Sequence, residues 1–220
     1  MQVALSINAR NETDARDLVR HAARIVPQGG IVHIDIGDGI YTPNTTWDDA
    51  VAWRAMAPAG IKTEVHLMAR DWEARLVPWL EAGAFRVIIH ISLASVNEAK
   101  RAREVAARYG AELMLSISLA DDVVDALAYA DFASFQILAV LAGRSGQVFN
   151  ESAIKKIKDL RAAFPNAILE VDGGITPLIV ARAKEAGSPR GGAGADIVVS
   201  SSYIWNADNP KEAYEKLVSL

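Results

Sequence analysis

The sequence predicts a single (β/α)8 barrel spanning residues 1–220, and three observations predict it. Eight short runs rich in apolar and β-branched residues alternate with longer amphipathic runs, the pattern that gives a parallel sheet. Eight strand–helix units in 220 residues leave roughly 27 residues per unit, close to the size of a βα repeat. No G-x-G-x-x-G follows the first run, which argues against the competing doubly wound open sheet. No linker or low-complexity tract divides the chain.

Taken in order, strand one is expected at 2–7 (QVALSI), and the helix after it covers 14–26, with His21 structural or exposed. Strand two, 30–36 (GIVHIDI), places His33 and Asp35 two apart, hence on one face of an extended chain. Strand three, 62–68 (KTEVHLM), carries His66. The helical run 71–83 contains Pro78, which predicts a kink or break. Strand four, 85–91, puts His90 inside the barrel as a partner behind the primary site residues. In helix 95–110, Ser95 precedes Glu98 by three residues and Gly110 stands at the end, a capping box and a glycine stop. Strands five and six are expected at 112–118 and 132–140, and strand seven at 167–173 with Asp172. Thr176-Pro177 opens helix 176–187 and Gly187 closes it. The glycine-rich stretch 187–195, with Arg190, runs from that helix into strand eight at 196–202. Such a connection lies on the N-terminal face of a barrel, so it is read as an ordinary αβ loop rather than a phosphate loop.

Bulk properties exclude several function classes. The composition is 51% hydrophobic and 23% charged, with net charge −4 and pI near 5.6, which argues against a nucleic-acid groove. Cys is absent, so disulfides and thiolate metal sites are impossible. No basic segment followed by a long apolar stretch opens the chain, and no apolar run approaches membrane-spanning length. A soluble, cytoplasmic protein is expected. Trp47, Trp53, Trp72, Trp79 and Trp205 are read as packing residues or as part of a homo-oligomer interface.

His33, Asp35, His66 and Asp172 end strands two, three and seven, whose C-terminal ends share one barrel mouth. Two imidazoles and two carboxylates suit one divalent cation: Zn, Fe, Mn or Co. Such a set fits sugar-phosphate chemistry. A proton α to a ketone becomes removable when a cation stabilises the developing enediolate. With Asp35 and Asp172 on opposite sides of the carbon, one removes the proton and the other returns one, inverting the configuration. Phosphate recognition has candidates at the same mouth: Gly143, Arg144, Ser145 and Gly146 after strand six, Gly173 and Gly174 after strand seven, and Ser201 and Ser202 at the end of strand eight. Glycines there allow close backbone approach to an anion.

Four segments, HIDIGDGIYTPN, EVHLM, AGRSGQVF and EVDGGI, resemble in order and spacing the motifs of the ribulose-phosphate 3-epimerases. The resemblance implies a (β/α)8 barrel that epimerises C3 of ribulose 5-phosphate to give xylulose 5-phosphate. It assigns the metal to His33, Asp35, His66 and Asp172, and the acid–base roles to Asp35 and Asp172. It places Ser6, His66 and Met68 in the substrate site, and the phosphate on the backbone of 143–146, Gly173, Gly174, Ser201 and Ser202. The chain departs from the family pattern with Gly37 and Leu138 in place of methionines and Glu64 in place of an aspartate. It also carries Arg144 for an aromatic, Ser145 for a glycine, and Ser92 where an acid follows the strand-four histidine. The D-x-K-x-x-D signature of orotidine- and ketogulonate-phosphate decarboxylases is not met, because Gly37 stands at the lysine position. Another ketose phosphate as substrate, and a non-catalytic sugar-phosphate-binding barrel, are the alternative readings.

Overall fold

The computed structural model describes residues 1–187 and 194–220. Arg190 and most of the glycine-rich stretch lie outside the described residues. Eight parallel strands close into a barrel in sequence order: β1 (Gln2–Ile7), β2 (Ile31–Gly37), β3 (Lys62–Met68), β4 (Ala84–His90), β5 (Glu112–Ile117), β6 (Ser134–Leu138), β7 (Ile168–Asp172) and β8 (Ile197–Ser200). The helices are α1 (Glu12–Ile25), α2 (Ala50–Met56), α3 (Trp72–Glu81), α4 (Val96–Arg108), α5 (Val123–Ala126), α6 (Ser152–Ala163), α7 (Pro177–Glu185), α8 (Ser202–Trp205) and α9 (Pro210–Val218).

Period-two alternation sorts each strand into two faces. Val32, Ile34 and Ile36 join the large core between barrel and helices, and His33 and Asp35 therefore point inward. Ala4, Ile31, Ile197 and Val199 form a small apolar cluster of their own. Among the polar inward residues, His33, Glu64, His66, His90, Gln136 and Glu170 are fully buried, and Asp35 and Asp172 keep a small exposure.

Caps fix where the helices start. Ser95 and Glu98 make the expected reciprocal capping box on α4. Thr176 accepts from the Ile179 N–H, and Pro177 occupies the first turn of α7. Four expectations need correction. The break at Pro78 does not occur: α3 runs from Trp72 to Glu81 as one helix. Proline there removes one late hydrogen bond, while Leu76, Trp79 and Leu80 stay buried and hold the last turn in place. Strand six is shorter than 132–140; Phe132 and Val140 are buried loop residues beyond its ends. Strand eight ends at Ser200, so Ser201 and Ser202 lie past it, and Ser202 opens α8. The fifth unit has only α5 and a single 3-10 turn at Leu127–Tyr129 in place of a full helix.

His21 is exposed on α1. Trp53, Trp72 and Trp79 are buried core residues. The Trp205 indole donates to the Ser6 carbonyl at 2.8 Å, and the Tyr214 hydroxyl donates to the Val3 carbonyl at 3.2 Å. The last two helices are thus tied to the first strand. No helix among the described residues is long and apolar enough to cross a membrane.

Candidate functional site

Strand register decides which side chains meet. Asp35 pairs with His66 across β2 and β3, and His33 pairs with Glu64 one pleat deeper. His33 is therefore mid-strand rather than at the strand's end, as the sequence reading had it, and its imidazole reaches up to the others. The atoms that converge are His33 Nε2, Asp35 Oδ1, His66 Nδ1 and Asp172 Oδ2. Asp35 Oδ1 lies 3.3 Å from His33 Nε2 and 3.4 Å from His66 Nδ1. Asp172 Oδ2 lies 4.0 and 3.6 Å from the same two nitrogens. All four residues are buried, and their ligating atoms lie within 4.8 Å of one another.

These residues fit a metal. Ligand distances of about 2.0–2.2 Å put the donors of a tetrahedral site roughly 3.4 Å apart, and the observed separations straddle that value. His33 Nε2 and His66 Nδ1 are buried with no hydrogen-bond partner, a costly arrangement unless something else engages their lone pairs. Electrostatics agree. Burial disfavours a charged His33, yet Asp35, Glu64 and Asp172 outweigh it and raise its pKa well above the ordinary value. His66 is also raised; burial opposes this, and Asp172 and Asp35 overcome it. Burial works against an ionised Asp35 too, but His33 and His66 keep its carboxyl far below the usual carboxylate range. The cluster thus demands positive charge, which a divalent cation supplies and for which protons compete.

Other contacts set the orientation of these groups. Ser6 Oγ donates to Asp35 Oδ2 at 2.9 Å, leaving Oδ1 for the cluster. His66 Nε2 lies 2.9 Å from His90 Nε2. His90 is held well below its ordinary pKa, first by burial and then by His66, so it is neutral. When neutral His90 accepts from His66 Nε2–H, the Nδ1 lone pair of His66 faces the cluster. Below the site, His33 Nδ1 lies 2.8 Å from Glu64 Oε1, and Glu64 Oε2 accepts from Arg86 Nη1 at 2.7 Å. Gln136 donates to Glu170 at 3.0 Å and accepts from Ser116 at 2.7 Å. Apart from the departure at Glu64, the sequence reading missed this lower layer. Its signal was the alternation itself, since Glu64, Arg86, Gln136 and Glu170 stand an even number of residues before His66, His90, Leu138 and Asp172.

Above the His33–Asp35–His66–Asp172 cluster lies one cleft. Ser6, Asp35, Met68, Gly143, Arg144, Ser145, Gly146, Asp172, Gly173, Gly174, Ser201 and Ser202 all line it; His33 and His66 lie beneath, fully buried. The sequence reading did not name Asn8 or Gln147, which line it as well. Gln147 Nε2 donates to the Leu141 and Arg144 carbonyls at 2.6 and 2.8 Å, bracing the loop after β6. Arg144 is the only cationic residue among those lining the cleft. Gly173 and Gly174 have φ of +101° and +67°, and a Cβ on Gly174 would meet the Phe149 backbone nitrogen at 2.3 Å. The loops after β6 and β7 pack together only because that side chain is missing.

Gly37 is not an open gap. A Cβ there would lie 2.7 Å from Thr42 Oγ1 and 3.0 Å from the Asn44 carbonyl, and a Cβ on Gly143 would lie 2.6 Å from Thr42 Cβ. Buried Thr42 thus wedges between the loops after β2 and β6. Asp38 is likewise structural. It accepts from the N–H groups of Ile40, Tyr41 and Arg70; slight burial opposes its charge, but these donors hold it below the usual carboxylate range.

Comparison with known proteins follows this geometry. Residues 2–205 match the family described as Ribulose-phosphate 3 epimerase family. The ribulose-phosphate 3-epimerase of Aquifex aeolicus is 30% identical over 196 residues, covering 86% of this chain and 84% of the relative. That of Mycobacterium tuberculosis is 29% identical over 212 residues, covering 92% and 88%. The chain spans 64% of the length of the chloroplastic ribulose-5-phosphate-3-epimerase of Arabidopsis thaliana, to which it is 30% identical over 195 residues, 83% of this chain. Among solved structures, 3-keto-L-gulonate-6-phosphate decarboxylase from Vibrio cholerae superposes with a TM-score of 0.71 at 16% identity, covering 99% of this chain and 95% of that one. At that identity the likeness shows the barrel fold alone.

Proposed function

The chain belongs to the ribulose-phosphate 3-epimerase family, a family of isomerases, and from that premise we propose that it inverts C3 of a ketose phosphate, turning ribulose 5-phosphate into xylulose 5-phosphate. One observation carries the reading: two carboxylates and two partnerless imidazole nitrogens converge beneath a cleft that the glycine-rich loops after β6 and β7 help to line. One divalent cation, Zn, Fe, Mn or Co, held by His33 Nε2, Asp35, His66 Nδ1 and Asp172, would supply Lewis-acid stabilisation of negative charge developing on the substrate oxygens.

The remaining work falls to the chain's own groups. Asp35, kept ionised by His33 and His66 and oriented by Ser6, removes the C3 proton from one face. Asp172, arriving from β7 and entering the turnover with a proton, delivers it to the other face of the enediolate, and inversion follows; Asp35 is left protonated and Asp172 ionised until exchange with solvent resets them. Asp35 in turn serves as the acid in the reverse direction. Met68 and Leu138 wall the reacting carbons. The backbone of 143–146, Gly173, Gly174, Ser201 and Ser202 takes the phosphate, with the Arg144 guanidinium as its cationic partner. The same reading makes the protein a cytoplasmic enzyme of a small metabolite, with no nucleic-acid partner. Leu138, in the cleft wall where the resemblance has methionine, favours a second ketose phosphate as an additional substrate.

Metal-loaded protein in D2O should exchange the C3 proton of ribulose 5-phosphate and form xylulose 5-phosphate, both followed by NMR. Asp172→Asn should lower exchange by at least about 10²-fold while its melting curve stays cooperative. If wild-type protein shown to carry a divalent ion exchanges no member of a panel of ketose phosphates, the enzyme reading is wrong.

A further inference from the structure

We propose that Glu64 is a positioning residue that fixes the tautomer of His33, and that Arg86 fixes Glu64 in turn. The inference rests on the metal reading above and extends it to residues that touch neither cation nor substrate. His33 has two ring nitrogens with different surroundings. Nε2 faces Asp35 and Asp172 and has no hydrogen-bond partner. Nδ1 lies 2.8 Å from Glu64 Oε1, and both side chains are fully buried. An ionised carboxylate at that distance can only accept a hydrogen bond and has no proton to offer a lone pair, so Nδ1 carries the hydrogen and Nε2 is left as the ligand.

Glu64 keeps that role because its second oxygen is already engaged. Oε2 accepts from Arg86 Nη1 at 2.7 Å, while Arg86 Nε and Nη2 reach Glu112 Oε2 at 3.1 and 2.9 Å. Arg86, on β4, is only 4% exposed and links buried Glu64 on β3 to exposed Glu112 on β5. Both oxygens of Glu64 thus act as acceptors, one for an imidazole and one for a guanidinium. No neutral isostere can do this. A glutamine at 64 has one acceptor oxygen and one NH2, so either His33 Nδ1–H or Arg86 Nη1–H would face another donor. The family pattern that the chain resembles has an aspartate at this position, which has the same two acceptors on a shorter arm.

Co2+ serves as the probe, with affinity measured by chelator competition and coordination by visible absorption. Glu64→Gln should bind Co2+ about 10–100-fold more weakly than wild type, with a changed absorption band, and Glu64→Asp should recover most of the affinity and the wild-type band. Wild-type affinity and spectrum in a folded Glu64→Gln would overturn the assignment, as would equal losses in Glu64→Gln and Glu64→Asp. Wild-type protein that binds no Co2+ would instead refute the metal reading itself. Should Glu64→Gln fail to fold, long-range 1H–15N NMR of Zn2+-loaded wild type decides the matter: a proton on His33 Nδ1 supports the assignment, and one on Nε2 overturns it.

Discussion

Glu170 stands two residues before Asp172, fully buried, with Oε1 accepting from Gln136 and Oε2 without a partner, 3.8 Å from Arg86 Nη1. Burial, and next the charge on Glu64, push its pKa well above the ordinary value. The folded protein therefore binds a proton that the unfolded chain releases near pH 4.3. Stability from this group is fully present below that pH and is lost as pH rises through the folded pKa. Glu170→Gln mimics the protonated form and carries no such penalty. In chelator-treated protein, the urea midpoints of Glu170→Gln and wild type should coincide near pH 4 and diverge upward, with the variant more stable at pH 8. A gap of constant size across that range would mean the effect is one of packing and not of charge. At this scale the sequence exposes residue types but not partners. His33, Asp35, His66 and Asp172 stand out because of their chemistry. Glu64 stood out only as a departure from the family pattern and Arg86 and Glu170 not at all, because it is the register that brings them together inside the barrel.

Among the elements, the loops after β6 and β7 behave as one unit because Gly174 lets them touch. Gly174→Ala would force a side chain into a positive-φ residue, costing about 1–2 kcal/mol, and against the Phe149 backbone as well. We expect a lower melting temperature and a KM for ketose phosphate raised more than kcat is lowered, since the loops bear on phosphate binding rather than on proton transfer. A change confined to kcat would place the loops in the chemical step. The strands themselves were legible as short apolar and β-branched runs, to within a residue or two at most ends. Strand six was overdrawn because Phe132 and Val140 are as apolar as the strand but bury themselves in loops. Apolar composition reports burial, and only pairing makes a strand. Pro78 misled for the opposite reason: a local rule predicts a break, and the packing of Trp79 and Leu80 overrides one lost hydrogen bond.

For the whole molecule, the metal reading proposed above links cation binding to barrel stability. The cluster comes from β2 and β3, which are adjacent, and from β7 across the ring, so a bound cation would bridge parts of the barrel far apart in sequence. Any ligand of the folded state alone stabilises by about 2.7 kcal/mol at a hundredfold excess over Kd. For a chain of this size that corresponds to a rise in melting temperature of roughly 5–10 °C. Calorimetry with and without a tight chelator should show a shift of this order, and His66→Ala should abolish it. An unchanged melting temperature in protein shown by elemental analysis to hold the ion would place that ion outside the four-residue cluster. The closed order of strands was foreseeable from eight repeating units, but the tie of α8 and α9 back to β1 was not, because Trp205 and Tyr214 bond to backbone carbonyls that no side-chain pattern marks.

That tie, and the pairing of β1 with β8, have a consequence during synthesis. His33, Asp35 and His66 leave the ribosome roughly a hundred residues ahead of Asp172, which at about 5–20 residues per second is a lag on the order of 5–20 s. Through that interval the nascent chain displays three-quarters of a chelating set with no ring to select among ions. A cation bound in that interval would be held by an incomplete set, and only the closed ring presents all four groups at once.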